Sequence, residues 1–225
     1  MKIAALTLSL VALTLNAGPS LASANPISTK VIIESGDVVL VQESKHIKLT
    51  KSHKDSDPVL SPDGRRVVFT RGNSQSQGPD GCAEDVKAKV ELWSVTTTNP
   101  TEQRLTASAD STEPRKLKCQ FRDKQFSSDS KRVYFASSGW ATSGSLWVHD
   151  FKTAKTTFVQ PANGYTVLST CKDLQYKDQL AINQHRYFVF GGSYDWYWLF
   201  DSQGKNERGP IGETLDLLNE ACGLK

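Results

Sequence analysis

The chain has 225 residues, with Lys+Arg 27 against Asp+Glu 24, a formal net charge of +3 and a hydrophobic content of 38%. So near a balance, with basic residues interspersed along the sequence, leaves no electrostatic footprint for nucleic acid. The length suits one sizeable β-domain and is short for two.

Met1 to Ala24 has the pattern of a secretory signal peptide: Lys2 at the positive end, an apolar run from Ile3 to Leu15, and Ala22-Ser23-Ala24 as small residues for cleavage. The run is broken by Asn16, Gly18 and Pro19, too early for a membrane span. The expectation is an exported protein, periplasmic or secreted, with a single domain over residues 25–225.

Beyond the leader, short β-branched and aromatic runs are bounded by Gly, Pro, Asn, Asp and Ser, the pattern of an all-β chain. An opening half-unit is read in "VVLVQESKHIKLT", Val38 to Thr50. In "LSPDGRRVVFTRG", from Leu60, Pro62 presets the first central turn position and Gly64 can leave the turn with positive φ, so two strands reverse tightly. The apolar run in "RRVVFT" predicts an inner strand buried on both faces. The stretch recurs in degenerate form as "FSSDSKRVYFASSG" from Phe126, with Ser61 and Ser127 lying 127 − 61 = 66 positions apart.

The flanks repeat too. Strands ending in Leu-Thr and acidic linkers precede both copies, and "ELWSV" and "SLWVH" follow them. The linkers "SHKDSDP" and "SADSTEP" lack the ligand spacing of a calcium loop and are read as turn formers. Between the copies, Gly72 to Lys89 is a long insertion of the kind that carries function. "RKLKCQFRDK", Arg115 to Lys124, is the densest basic run and is read as a solvated surface. Trp140 stands among Ser and Gly in "SSGWATSGS", a large ring in a predicted loop.

A third unit, His185 to Glu213, is read as a strand, a Gly-Gly turn, a Trp-rich strand and a Ser-Gln-Gly hairpin. In "GGSYDWYWLF" alternation puts Tyr194, Trp196 and Trp198 on one face and Asp195, Tyr197 and Leu199 on the other. At the end, Leu215, Leu218 and Cys222 follow helical spacing, with Thr214 as candidate cap and Gly223 just past the last turn.

The four cysteines, Cys82, Cys119, Cys171 and Cys222, suit two disulfides in an exported chain, and of three connectivities the spacing favours Cys82–Cys119 with Cys171–Cys222. His46, His53, His149 and His185 show no motif that joins them to a nucleophile or a metal, and are read as surface or strand-edge residues. An enzyme is disfavoured, and no cofactor is expected.

Leu-Thr, acidic linker, Pro, Ser-Pro-Asp-Gly, Val-Val-Phe and Leu-Trp together resemble the TolB-type β-propeller repeat of periplasmic proteins, best over 57–106, next over 114–159, and most divergent over 185–213. The resemblance implies a small or incomplete β-propeller of about four blades, with the short C-terminal helix beside the last blade and without the TolB-type N-terminal α/β domain. The same repeat gates prolyl-oligopeptidase-type enzymes, whose hydrolase domain and Gly-x-Ser-x-Gly elbow are missing here. It also implies a non-catalytic module that binds an envelope or secreted protein, for which the residues themselves offer Trp140, Tyr194, Trp196, Trp198 and the Gly72–Lys89 loop as candidate contact surface. The alternative is a carbohydrate or small-ligand binder that stacks glycan on exposed aromatics; an enzyme with a channel-lining site is third.

Overall fold

The computed structural model describes residues 29–72, 90–140 and 143–223; the leader and residues 73–89 of the insertion, Cys82 included, lie outside them. Among the described residues, fifteen strands form four antiparallel sheets, and one short helix follows. The first sheet holds β1 (Thr29–Glu34), β2 (Asp37–Gln42) and β3 (Lys45–Lys48); the second holds β4 (Asp55–Leu60), β5 (Arg66–Arg71), β6 (Glu91–Thr96) and β7 (Glu102–Ala107). The third holds β8 (Arg122–Phe126), β9 (Arg132–Trp140), β10 (Ser143–Asp150) and β11 (Lys155–Pro161). The fourth holds β12 (Gly164–Val167), β13 (Leu180–Tyr187), β14 (Ser193–Phe200) and β15 (Glu207–Gly212), before α1 (Asp216–Cys222). Strands follow one another in chain order within every sheet.

The repeat is structural. Gly64 N–H donates to the Ser61 carbonyl at 2.9 Å and Ser130 N–H to the Ser127 carbonyl at 3.0 Å. Gly64 and Ser130 both have positive φ, 70° and 59°. In each copy the serine hydroxyl donates to the aspartate two residues on, Ser61 to Asp63 at 2.6 Å and Ser127 to Asp129 at 2.7 Å, and accepts the N–H of Arg66 or Arg132 at 3.0 Å. Side chains thus close the second turn where Pro and Gly are missing. Asp57 and Asp123, again 123 − 57 = 66 apart, both take left-handed φ where β4 and β8 bulge against their neighbours.

β5 is an inner strand, as its composition predicts: Val67, Val68 and Phe69 are wholly buried, Val67 and Phe69 packing toward the first sheet and Val68 toward the third. Three apolar layers therefore join the sheets in succession. One is built on Val38, Leu40, Phe69 and Val95, the next on Val68, Leu92, Phe121 and Phe135, and the third on Tyr134, Leu146, Leu180 and Ile182. Among the described residues no apolar layer joins the far face of the fourth sheet to the first. Ala181, Tyr197 and Leu199 there pack against Leu168, Cys171, Leu218 and Cys222, which belong to the β12–β13 connection and to α1. Among the described residues the sheets thus form an open arc, an incomplete propeller whose last face is capped by a helix.

Several local expectations change. β1 precedes the expected opening half-unit, and the fourth sheet begins at Gly164, upstream of His185. Thr214 does not cap α1: its hydroxyl binds Asp216 at 2.8 Å, and the cap residue, Leu215, contributes no side-chain bond, while Gly223 closes the helix at φ 63°. Lys124 is not solvated. Its side chain is buried between the second and third sheets and donates to Asp57, to Thr70 Oγ1 at 3.1 Å and to the Phe121 carbonyl at 2.9 Å. Burial lowers its pKa, opposed by Asp57.

His149 is also a core residue, 2% exposed, with Nδ1 2.8 Å from Thr156 Oγ1 and its ring edge-on to Phe151. Burial, with help from the Arg66 charge and against Asp150, pushes its pKa down to about 4. In the unfolded chain it titrates near 6.5, so between those values the unfolded state takes up a proton that the folded state refuses. Stability is therefore expected to fall as pH drops from about 6.5 to about 4, by up to about 3 kcal/mol. Chemical denaturation across that range, wild type against His149→Phe, checks this: the variant flattens the slope.

Candidate binding surface

The arc has two distinct ends. At one, the β4–β5 and β8–β9 turns and the β12–β13 connection touch in series: Asp63 N–H donates to Ser130 Oγ at 3.1 Å, and Ser128 gives its N–H and its hydroxyl to Asp178, each at 2.6 Å. Because each sheet is a sequential meander, the β5–β6, β9–β10 and β13–β14 connections fall at the opposite end. The insertion leaves at Gly72 and returns at Val90 there. Trp140 belongs to β9, not to a loop, and pairs with Ser143 at that end.

The fourth sheet projects furthest. β12 pairs with β13 only over Leu180–Asn183, and β15 with β14 only over Tyr197–Phe200. Beyond those limits Gln184–Tyr187 and Ser193–Trp196 pair with each other alone among the described strands. The result is a two-stranded ribbon with two open edges, a form that is marginal without further packing.

That packing comes from the side chains. On one face Phe188 and Tyr194 lie 4.7 Å apart, Tyr194 and Trp196 meet edge to face at 5.4 Å, and the Arg186 guanidinium lies 3.6 Å over Trp198. Arg186 is fixed by Gln184 Oε1 at 2.6 Å and Glu207 at 2.6 Å. Trp198 packs against the layer that contains Leu146 and Ile182, so it roots the ribbon in the core. On the other face His185 Nδ1 lies 3.1 Å from Asp195, which also accepts from Asn163 at 3.3 Å, and the His185 and Tyr187 rings meet at 5.0 Å.

At the tip, Gly191 and Gly192 turn the chain with φ of 98° and 85°, and Phe188 N–H donates to the Gly192 carbonyl at 3.1 Å. Tyr187, Phe188, Val189 and Phe190 are 68%, 57%, 93% and 100% exposed. Isolated exposed apolar residues are ordinary, but four in a row on a convex tip are not.

The predicted alternation of Tyr194, Trp196 and Trp198 is present, but the three differ in role. Trp198 is anchored, whereas Tyr194 and Trp196 are half-buried along the ribbon. The Gly-Gly turn lies where the sequence predicts it, but Phe188, Val189 and Phe190, in a run of strand composition, belong to the reversal and not to the strand. Cys171 and Cys222 are bonded as the spacing favours. Cys119 is disulfide-bonded, and Cys82 lies outside the described residues. Among the described residues no group of three His, Cys, Asp or Glu side chains has a metal-holding arrangement, and no helix is long and apolar enough to cross a membrane.

No protein-family model matches the chain, and no curated protein matches it in sequence. Solved structures do. An acylaminoacyl peptidase from Pyrococcus horikoshii is 12% identical with a TM-score of 0.50, over 84% of this chain and 30% of that one. The β-propeller domain of the Trilobed protease from Pyrococcus furiosus is 12% identical with a TM-score of 0.48, over 79% and 49%. TolB from Acinetobacter baumannii is 9% identical with a TM-score of 0.45, over 80% and 40%. The chain spans half or less of the length of these three proteins. The described chain is, by its own sheets and their packing, an all-β incomplete propeller of four antiparallel sheets with a short C-terminal helix, and TolB and other β-propeller proteins are among its structural neighbours.

Proposed function

We propose that the protein is an exported, non-catalytic module that binds a protein of the bacterial envelope, and that its binding surface is the projecting end of the arc. The observation that carries this reading is the ribbon Gln184–Trp196, which combines two open strand edges with a row of aromatic side chains rooted by Trp198 and Arg186. An extended partner segment can add as a strand beside Ser193–Trp196, where β15 has already ended, and read Tyr194 and Trp196 with alternate side chains. Rings at interplanar angles of 38° and 67° offer clefts for such side chains rather than one flat platform for a sugar. Trp140 in the third sheet and the stems of the insertion in the second lie at this same end of the arc.

The Met1–Ala24 pattern supports export, and the bonded cysteines Cys119, Cys171 and Cys222 suit an oxidising compartment. A photo-crosslinking residue placed at Tyr194, against one at Lys131 on the opposite end, tests the surface in envelope extract. One polypeptide crosslinked from Tyr194 and not from Lys131, and bound at least tenfold more weakly in purified form by Trp196→Ala, is the expected result. Equal labelling from both positions, or from neither, refutes it.

A further inference from the structure

We infer that the tip Tyr187–Phe190 seats in the headgroup layer of an anionic lipid bilayer and holds the binding end of the arc against a membrane surface. The ribbon faces already have their partners: Arg186 its two acceptors, Asp195 its two donors, Trp198 the core. The tip has none. Phe190 is fully exposed and Val189 nearly so, on a convex turn that offers no cleft and that a partner could contact only by enclosing it.

A bilayer encloses such a shape without a dedicated pocket. Shallow insertion requires that backbone groups be satisfied within the segment. Here Phe188 N–H binds the Gly192 carbonyl, Gly191 N–H binds the Phe188 carbonyl, and the Tyr187–Ser193 pair closes the ribbon below. Tyr187, with its polar hydroxyl, stands behind the apolar tip, the order in which aromatic side chains occur at membrane interfaces.

The charge at this end matches anionic lipid. The sheet-to-sheet connections there carry exposed Lys51 and Lys54 before β4, and exposed Arg115 and Lys116 before β8, where Lys116 pairs with Glu113 at 2.8 Å and the Arg115 guanidinium lies 5.9 Å from the Phe158 ring. Basic residues near a membrane surface add electrostatic attraction to apolar insertion.

The test is flotation of the chain from Asn25 to Lys225, disulfides intact, with vesicles of equal parts phosphatidylglycerol and phosphatidylcholine and with phosphatidylcholine alone. Binding to the anionic vesicles, weaker on the neutral ones and at high salt, is expected. Val189→Ser with Phe190→Ser, both on the exposed turn and apart from the stacked rings of the ribbon, should weaken it at least about tenfold, as loss of two exposed apolar side chains implies, with the near-ultraviolet circular dichroism retained. Tryptophan placed at Phe190 should be quenched by brominated lipid. No flotation, flotation indifferent to the double substitution, or no quenching at Phe190→Trp overturns the inference. The protein-binding reading is tested apart from it: a tip variant that leaves the vesicles but still binds the partner crosslinked at Tyr194 supports both, and a tip that binds only that polypeptide and no lipid overturns this one alone.

Discussion

Replacing Cys171 and Cys222 together by serine is expected to lower the unfolding free energy by about 4 kcal/mol, the entropy of a closed loop of this length. The bond joins positions 51 residues apart, with Cα atoms at 4.4 Å, and ties α1 to the β12–β13 connection. Little else would hold the helix. It has seven residues, no side-chain cap and no basic residue in its last turn, far below the length at which a helix persists alone. Its work is to cover Ala181, Tyr197 and Leu199 on the terminal face of the fourth sheet. Without it that face lies open, as the end of any stacked array does without a cap. Urea unfolding of the double variant, with exchange of the β13 and β14 amides, checks this. A loss below about 1 kcal/mol would show that α1 packs without the bond.

Asp55→Ala is expected to cost about 3 kcal/mol, because it removes one partner from a buried ion pair. The Asp55 side chain has no exposure and accepts Arg71 Nε at 2.6 Å, Arg71 Nη2 at 3.2 Å and the Thr50 hydroxyl at 2.5 Å. Thr50 Oγ1 in turn accepts the Val38 N–H at 2.8 Å, so the carboxylate couples the first sheet to the second. Arg71 is stacked 4.5 Å from the Trp93 ring and holds Glu102 at 2.7 Å, which keeps the loss at the low end for a broken buried pair. Asp55→Leu with Arg71→Met removes both charges and should recover most of the stability. If the double variant is as unstable as Asp55→Ala, the cost lies in the carboxylate's bond to Thr50 and not in a stranded guanidinium.

The two examples show what a linear reading could reach. Ser61-Pro62-Asp63-Gly64 and its copy at Ser127 were legible because a tight reversal needs few residue types, and a 66-residue offset preserved them. The pairing of Cys171 with Cys222 was favoured by spacing alone. Asp55, by contrast, sits in an acidic run that has the composition of a polar linker. Its burial depends on Arg71 arriving from across the β4–β5 hairpin, a distance of sixteen residues that no local pattern encodes. Lys124 misled in the same way, a basic residue in a basic run whose partner, Asp57, comes from another sheet. His149 lacked any motif because its setting is assembled in space: Thr156 and Phe151 of its own hairpin and the Arg66 charge from the second sheet. At the binding end, the alternation of Tyr194, Trp196 and Trp198 was readable from period two, but which ring would be anchored depended on where β12 and β15 stop. Strand lengths set by neighbours are among the least local properties of a sheet.

The most direct test of the account is hydrogen–deuterium exchange on the oxidised chain, free and bound to the polypeptide crosslinked at Tyr194. The amides of Gln184–Tyr187 and Ser193–Trp196 that point to the open edges should exchange fast in the free protein and slow on binding, while the turns at Ser61–Gly64 and Ser127–Ser130 stay unchanged. Protection that appeared at those turns instead, with the ribbon left as fast as before, would place the binding surface at the wrong end of the arc.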